Sequence, residues 1–233
     1  MSATKLRVEF KYTQYVSVRT FKVKKTVVMR GKLITFEGID GSGKSTVARK
    51  LKENPEINAF EPVFTQEPTR GTLTGTAVER AIHSDIDQLA ELFLFTADHA
   101  EHLAKLVKPA LESGKSVISD RYSDSRYAYQ SITLKKHLDN PLERIKNLHK
   151  GWTVVPDLTF LFDIDPELSI ERCGKRGDQS KFEKIDFLQG VREIFLRLAD
   201  EEPDRFIIID ASQPPQKIEI RVTLEVLDFL RRK

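Results

Sequence analysis

The chain has very little cysteine and no long apolar run. Cys173 is the single cysteine among 233 residues, and it lies in a polar stretch between Arg172 and Gly174. One cysteine excludes a disulfide within the chain, and its surroundings lack the His/Cys pattern of a metal site. This usage favours a reducing cytoplasm. Because no apolar run approaches the ~18 residues that a membrane span needs, no membrane partner is expected.

Net positive charge is confined to the first thirty residues. The whole chain carries +3, whereas residues 1–30 hold eight Lys or Arg and one acid, Glu9, so this segment is +7 and the remainder is −4. Its basic residues alternate with Leu6, Val8 and Phe10 at strand period. This alternation favours neither a nucleic-acid arm nor a transit helix, and a secretory apolar core is missing. No nucleic-acid partner is expected.

Methionine is equally rare, with Met29 the only one after Met1. We therefore hypothesise that residues 1–28 are a basic N-terminal extension and that residues 29–233 form a single domain, a length that suits one α/β unit. The intact mass of the native protein tests this boundary.

From Met29 onward, short apolar segments alternate with helix-like ones. The predicted strands lie near 32–37, 62–66, 116–120, 158–164 and 205–210. The predicted helices lie near 44–53, 73–83, 86–113, 122–135, 141–150, 166–173, 184–201 and 214–232. This alternation predicts an α/β fold with a five-stranded parallel sheet covered by helices on both faces. Ligands are then expected at the carboxyl ends of the strands.

Residues 38–45 form a complete G-x-x-x-x-G-K-[ST] phosphate-binding loop between a predicted strand and a predicted helix. Glycines let the backbone N–H groups wrap around a polyphosphate, Lys44 adds a positive charge, and the Ser45 hydroxyl is a ligand for Mg²⁺. A chance match in a Gly/Ser turn is disfavoured because strand, loop and helix follow in the required order. The sequence therefore predicts a nucleoside triphosphate as ligand.

The predicted helix near 86–113 carries one apolar stripe, which can serve either the core or a dimer interface. The stripe comprises Leu89, Leu92, Phe93, Thr96, Ala100, Leu103 and Val107. Phe95 lies to one side of the stripe and shares a face with His99 and His102. These three would suit a base-stacking platform. From the helix alone we favour the alternative, that Phe95 widens the core face and the histidines are solvated.

Asp120 and Arg121 end another predicted strand. Their position at the carboxyl edge of the sheet, beside the phosphate loop, suits a carboxylate that meets Mg²⁺ together with Ser45. A surface ion pair is the alternative.

Residues 172–184 are basic and contain glycine, which is typical of a lid that closes over phosphates. A solvated charged turn is the alternative.

Taken together, these motifs resemble those of the thymidylate kinase family over about 200 residues. The matching segments are Phe36-Glu37-Gly38 through Thr46, Glu67-Pro68 with Arg70-Gly71-Thr72, Asp120-Arg121-Tyr122 through Gln130, Pro156 to Thr159, and Ile209 to Gln213. The resemblance implies a P-loop nucleoside-monophosphate-kinase fold with a short lid, and a homodimer. It implies transfer of the γ-phosphoryl group of ATP to dTMP, giving dTDP and ADP, with Mg²⁺ as cofactor.

The resemblance also implies roles for individual residues. The ATP-binding residues are Gly38, Ile39, Asp40, Gly41, Ser42, Gly43, Lys44, Ser45 and Thr46, and the metal residues are Ser45 and Asp120. The substrate-binding residues are Asp40, Glu67, Arg70, Phe95, His99, Arg121, Ser125, Arg126, Tyr129 and Gln130. Asp40 is expected on the sugar 3′-hydroxyl, Arg70 and Arg121 on the acceptor phosphate, and Phe95 on the thymine ring. Tyr129 is expected to crowd the 2′ position.

Catalytic charge is expected from Lys44, Asp120, Arg121, Arg172 and Arg176. The family divides into members with an extra arginine in the phosphate loop and members with one in the lid. The loop position here is Gly41, so the chain resembles the lid-arginine type, with Arg172 or Arg176 neutralising the developing charge. Replacing either with alanine is expected to lower turnover more than nucleotide affinity.

Two positions depart from the family pattern. Position 99 is histidine where the family usually has an arginine that donates to O4 of thymine, and position 126 is arginine where a small residue is common. We hypothesise that Arg126 takes over this donor role while His99 packs or bonds through a water. The alternative is that Arg126 faces solvent.

Other functions are compatible with the same residues. A nucleoside monophosphate kinase of broader specificity fits the same motifs, as does a deoxynucleoside kinase, which would need Glu37 as a base. A regulatory GTPase is disfavoured because no Asn-Lys-x-Asp segment occurs, and an idle nucleotide-binding module is disfavoured because acceptor-side and lid residues are all present.

Overall fold

Five short segments form the strands of one sheet in the computed structural model, which describes residues 29–174 and 180–232. The strands are β1 (Leu33–Glu37), β2 (Val63–Gln66), β3 (Val117–Asp120), β4 (Leu158–Asp163) and β5 (Phe206–Asp210). They are all parallel, in the order β2-β3-β1-β4-β5. The predicted five-stranded parallel sheet is confirmed. The extension 1–28 and residues 175–179 of the predicted lid lie outside the described residues.

The helices fall close to their predicted positions. They are α1 (Lys44–Glu53), α2 (Pro55–Asn58), α3 (Leu73–Ile82), α4 (Gln88–His102), α5 (Lys108–Glu112), α6 (Ser123–Thr133), α7 (Pro141–His149), α8 (Pro166–Arg172), α9 (Ser180–Glu201) and α10 (Pro215–Arg231). All five residues of β1 are buried, as a strand requires when helices cover both faces of its sheet.

Two local features differ from the prediction. The long helix near 86–113 is interrupted, because a π-helical turn at Leu103–Val107 separates α4 from α5. Pro109 explains the interruption, since proline has no N–H for the regular helical hydrogen bond and its ring crowds the preceding turn. The short α2 was not predicted. The Asn54 side chain caps it by accepting hydrogen bonds from the N–H groups of Glu56 and Ile57.

The apolar stripe of α4 and its continuation is divided between core and surface. Leu92, Leu103 and Val107 are buried. Leu89 is 41% exposed and Phe93 is 54% exposed. One part of the stripe therefore packs in the core, and another part forms an exposed apolar surface.

The register of the central strands places the site residues. Phe36 of β1 lies opposite Asp120 of β3, so the phosphate loop that follows β1 begins beside the Asp120-Arg121 segment. The carboxyl ends of parallel strands meet at one edge of a sheet, as the sequence predicted. Among the described helices, none is long and apolar enough to cross a membrane.

Candidate active site

The phosphate loop joins β1 to α1 and is packed tightly against β4 and α8. A Cβ at Gly38 would lie 2.4 Å from the Phe162 carbonyl oxygen, and one at Gly41 would lie 2.6 Å from the Ser169 carbonyl oxygen. Both glycines also have positive φ angles, of 135° and 76°. A side chain at Gly41 is therefore disfavoured in this chain by contact and by conformation. An arginine at this position would require the Ser169 segment to shift.

Lys44 begins α1 and is folded back into the loop. Its Nζ donates to the Ile39 carbonyl oxygen at 2.8 Å and to Ser42 Oγ at 3.1 Å. Burial, followed by the nearby positive charge of Arg121, lowers the pKa of Lys44 to about 7. A bound polyphosphate would reverse this effect because its negative charges favour the ammonium form. The N-terminus of α1 adds further positive potential at the same place.

Ser45 and Asp120 meet where α1 begins and β3 ends. Ser45 Oγ donates to Asp120 Oδ2. Asp120 Oδ1 is buried and has no hydrogen-bond partner among the described residues. A buried carboxylate oxygen without a partner next to a serine hydroxyl suits a hard divalent cation. The pair therefore fits Mg²⁺.

Arg121 connects the phosphate loop to α6. Its backbone has a φ of 66°, the left-handed region that arginine seldom adopts. Its Nη1 donates to the Gly38 carbonyl oxygen and to Ser125 Oγ, both at 3.0 Å, and its Nη2 donates to Asp40 Oδ1 at 2.5 Å. The guanidinium carbon lies 5.2 Å from the centre of the Tyr129 ring. These contacts fix the direction of a positive charge at the end of the sheet.

Three cavities surround this edge of the sheet. The phosphate cavity has a volume of about 350 Å³ and is lined by Asp40, Gly41, Gly43, Lys44, Ser45, Thr46, Arg121 and Arg172. The acceptor cavity has a volume of about 260 Å³, and its lining includes Asp40, Phe95, Arg121, Ser125, Arg126, Tyr129 and Gln130. Asp40 and Arg121 line both. A basic groove of about 880 Å³ contains Arg70 and meets the phosphate cavity at Ser45 and Thr46.

A buried cluster centred on Glu67 stands behind the acceptor cavity. His99 Nδ1 and His102 Nδ1 lie 2.8 Å and 2.7 Å from Glu67 Oε1, and Arg126 Nη1 donates to Oε2 at 2.5 Å. Burial alone would raise the pKa of Glu67, but Arg126 and His99 hold it well below its usual range. Burial, assisted by Arg126, lowers the pKa of His99 to about 4.

This cluster corrects two expectations from the sequence. The interpretation that His99 and His102 are solvated is wrong, because they are 0% and 4% exposed. They belong to the buried cluster, and His99 Nε2 lies 3.2 Å from Thr153 Oγ1. The alternative that Arg126 faces solvent is also wrong, since its exposure is 3%. The burial of these side chains could not be predicted from the pattern of one helix, because Glu67 is distant in sequence from His99, His102 and Arg126.

The remaining predicted residues have mixed placements. Phe95 is half-buried and lines the acceptor cavity with Glu67, Ser125 and Tyr129. Arg70 is exposed and lies in the basic groove, apart from that cavity.

Arg172 is exposed at the phosphate cavity. It donates to the carbonyl oxygens of Ala211 and Ser212, at 2.7 Å and 3.4 Å. These bonds tie it to the segment between β5 and α10. Arg176 lies outside the described residues.

Sequence reasoning did not identify three residues of this region. Phe187 of α9 and Glu91 of α4 line the acceptor cavity. Asp98 is buried and accepts hydrogen bonds from the Thr69 N–H at 2.8 Å and Thr74 Oγ1 at 2.9 Å, which anchors the segment carrying Arg70. Glu91 and Asp98 lie at helical spacing from Phe95, so the sequence pattern could have identified them as its neighbours on one face of α4. No local signal pointed to Phe187.

The deoxynucleoside kinase alternative depended on Glu37 as a base. Glu37 is fully buried and accepts hydrogen bonds from the Tyr122 N–H at 2.8 Å and from Ser125 Oγ at 2.5 Å. Burial, with a contribution from Asp124, raises the pKa of Glu37 to about 8. Both oxygens thus support the segment after β3 instead of facing a substrate hydroxyl.

A phosphate loop at the end of β1, a metal-suited carboxylate at the end of β3 and an acceptor cavity sharing Arg121 define a P-loop phosphotransferase of the nucleoside monophosphate kinase class. Comparison with known proteins makes this more specific. A sequence model described as thymidylate kinase matches residues 36–222. The chain belongs to the thymidylate kinase family.

Named relatives agree with this family over most of the chain. The probable thymidylate kinase of Methanosarcina acetivorans is 75% identical over 204 residues, which is 88% of this chain and 99% of that protein. The probable thymidylate kinase of Methanosarcina barkeri is 76% identical over 204 residues, covering 88% and 100%. That of Natronomonas pharaonis is 49% identical over 199 residues, covering 85% and 98%.

Proposed function

We propose that the chain transfers the γ-phosphoryl group of ATP to dTMP, giving dTDP and ADP. The observation that carries the proposal is the shared wall of Arg121 and Asp40 between the phosphate cavity and the acceptor cavity. Phosphoryl transfer needs the two phosphates in line and a positive charge between them more than it needs a strong base. The Arg121 guanidinium lies where both phosphates would meet.

Each residue of the candidate site has a proposed role in the reaction. Lys44 and the loop N–H groups bind the donor phosphates, Arg121 orients the acceptor phosphate, and Asp40 faces its sugar. Ser45 and Asp120 would hold Mg²⁺, which supplies charge neutralisation to the phosphates when bound. Phe95 packs on one side of the acceptor cavity, where an aromatic face suits a base. Arg172 borders the phosphate cavity, and a role for the lid arginines Arg172 and Arg176 in charge stabilisation remains part of this proposal.

An ADP-release assay over a panel of monophosphates tests this function. We expect ADP formation that depends on dTMP, with dCMP, dAMP, dGMP and UMP as poor acceptors. A flat profile over the panel would instead indicate a kinase of broader specificity, and ADP release with thymidine but not dTMP would indicate a nucleoside kinase.

Binding of MgADP is expected to take up protons through Lys44. With a pKa of about 7 before nucleotide binds, Lys44 is largely neutral at pH 8.5, and the diphosphate restores its charge. We expect uptake of about half a proton per nucleotide at pH 7 and close to one at pH 8.5. Calorimetry in buffers of different ionisation enthalpy measures this. The exposed-lysine variant Lys135→Met serves as control, and an absence of uptake at pH 8.5 would show that Lys44 is already charged.

A homodimer is the second part of the proposal. The exposed apolar residues Leu73, Ile82, Leu89 and Phe93 lie on α3 and α4, two helices that pack against each other. A second copy would cover this surface. Sedimentation of Phe93→Glu is expected to give a monomer while the native chain sediments as a dimer. If the native chain sedimented as a monomer, the proposed homodimer would be wrong.

The domain boundary and the location stay proposals as well. We propose residues 29–233 as the catalytic unit, supported by the family match over 36–222, and a cytoplasmic location, supported by the single cysteine.

A further inference from the structure

Glu37 is a buried carboxyl group at the end of β1, and the proposed reaction gives it no role. Its side chain belongs to a residue that is 0% exposed. Burying a carboxyl group is costly unless polar partners surround it, so the partners of Glu37 indicate what the group does. Its two oxygens have different partners, and both of these lead to Arg121.

The first oxygen, Oε1, holds the backbone of Arg121. It accepts a hydrogen bond from the Tyr122 N–H at 2.8 Å. On the other side of the same peptide group, the Arg121 carbonyl oxygen accepts from Ser119 Oγ at 2.7 Å. The Arg121 N–H donates to the Phe36 carbonyl oxygen at 2.9 Å. These contacts impose the left-handed φ of 66°, which a residue other than glycine keeps only where its surroundings fix it.

The second oxygen, Oε2, holds the guanidinium of Arg121 through Ser125. Ser125 Oγ donates to Oε2 at 2.5 Å and accepts from Arg121 Nη1 at 3.0 Å. A serine hydroxyl has one proton and two lone pairs, so a serine held by the carboxyl group can still accept from the guanidinium. One carboxyl group therefore sets both the backbone and the side-chain direction of Arg121.

We propose that Glu37 is a positioning residue for Arg121, which it holds through the Tyr122 N–H and Ser125 Oγ in the direction that orients the acceptor phosphate. This inference rests on the proposed function, in which Arg121 has that role. Glu37 itself touches no substrate. Because phosphoryl transfer depends on the alignment of the two phosphates, a small displacement of the guanidinium should lower the rate strongly.

The protonation of Glu37 indicates that its geometry matters more than its charge. Burial, with a contribution from Asp124, raises the pKa of Glu37 to about 8, against the opposing effects of Ser125, Arg121 and Lys44. At pH 7 the carboxyl group therefore carries its proton in most molecules. The hydrogen bond between Oε2 and Ser125 Oγ forms in either state, with the proton supplied by the carboxyl group below this pKa and by the serine above it. Glutamine has the same shape as the neutral carboxyl group and can make both contacts.

The first test measures kcat for dTMP phosphorylation and Kd for MgADP in the native chain, Glu37→Met, Glu37→Gln and Ser125→Ala. Thr35→Val is the matched control. Thr35 lies two residues before Glu37 on the same face of β1, is 0% exposed, and makes a buried hydrogen bond of 2.8 Å to Thr159. The control thus removes a buried hydrogen bond from the same strand without touching Arg121.

Glu37→Met should lower kcat by about 10²-fold, because it releases both the backbone and the guanidinium of Arg121. Ser125→Ala should lower kcat by about tenfold, because it breaks only the contact to the guanidinium. Kd for MgADP should stay within about threefold of the native value in both variants, since the phosphate loop binds the donor. Glu37→Gln at pH 7 should recover most of the loss seen in Glu37→Met. Thr35→Val should keep the native kcat within about twofold.

A double-mutant cycle distinguishes a positioning role from a purely structural one. If Glu37 acts through Arg121, adding Glu37→Met to Arg121→Lys should lower kcat by no more than about threefold further, because residues that act as a unit are not additive. A purely structural defect would cost the same factor in both backgrounds. If Glu37→Met does not fold, the same cycle with Ser125→Ala and Arg121→Lys decides the question.

A readout without catalysis separates this inference from the proposed function. The Arg121 Nε–H resonance can be assigned by its absence from the Arg121→Lys spectrum. In nucleotide-free protein it should shift or broaden in Glu37→Met and Ser125→Ala and stay unchanged in Thr35→Val. Absence of ADP release with dTMP would contradict the proposed reaction, and the spectra would still report whether Glu37 holds Arg121.

Two results would overturn the inference. One is a kcat within about threefold of the native value in both Glu37→Met and Ser125→Ala. The other is an additive cycle together with an Arg121 Nε–H resonance that neither variant changes.

Discussion

Arg121→Lys is expected to lower kcat for dTMP phosphorylation by about 10³-fold, equivalent to about 4 kcal/mol of transition-state stabilisation. Arg121 binds Gly38, Ser125 and Asp40 with two different nitrogens, a fork that a lysine ammonium cannot reproduce. Lysine keeps the positive charge and has the same difficulty with the left-handed backbone at this position. The loss therefore reports on the geometry of the guanidinium and not on charge or backbone strain.

A matched substitution is available at the other end of the sheet. Arg30 also binds a carboxylate, since its Nη1 donates to both oxygens of Asp157, at 3.0 Å and 2.8 Å. Arg30→Lys should leave kcat within about twofold because this pair is far from both cavities and is exposed. Steady-state kinetics of the two variants give the comparison. If Arg121→Lys kept kcat within fivefold, the shared-wall mechanism would be wrong.

Glu67→Gln is expected to destabilise the fold by about 3–5 kcal/mol, because it leaves the buried charge of Arg126 without its carboxylate. Glu67 is 4% exposed and accepts from two histidines as well. For a domain of this size the loss corresponds to a fall in Tm of roughly 6–20 °C. Thermal unfolding followed by circular dichroism measures it.

An exposed ion pair provides the control for this prediction. Glu56 pairs with Arg231 at 3.2 Å, and both side chains are at least 60% exposed. Glu56→Gln should cost less than about 1 kcal/mol. The double variant Glu67→Gln/Arg126→Met should recover much of the loss, since it removes both buried charges. Equal effects of Glu67→Gln and Glu56→Gln would show that the buried cluster does not stabilise the fold.

Local patterns predicted most of the architecture. The strands were predicted to within about one residue because each is a short apolar segment ended by polar or turn residues. The helices agreed nearly as well, except where Pro109 forces a π-helical turn and where Asn54 and Pro55 start the short α2. Both exceptions follow from the local effect of one or two residues, which competes with the helical period of the apolar residues.

The candidate site was predictable in part. The phosphate loop and the Asp120-Arg121 pair lie next to strand ends, so parallel pairing of β1 and β3 was enough to bring them together. The cluster of Glu67, Arg126 and His149 was not predictable in the same way. Its members are 59 and 23 residues apart, and the period of a single helix does not show which side chain meets which.

Sequence alone was sufficient for the phosphate loop, for the succession of strands and helices along the chain, and for the edge of the sheet at which a ligand is expected. These features depend on neighbouring residues and on the geometry of parallel strands. Three features required the folded structure: the burial of His99, the position of Phe187 at the acceptor cavity, and the inward direction of Arg126, whose Nη2 has no hydrogen-bond partner among the described residues. The physical reason is that a buried charge or polar atom must find its partner across distant elements, and that choice is made by packing.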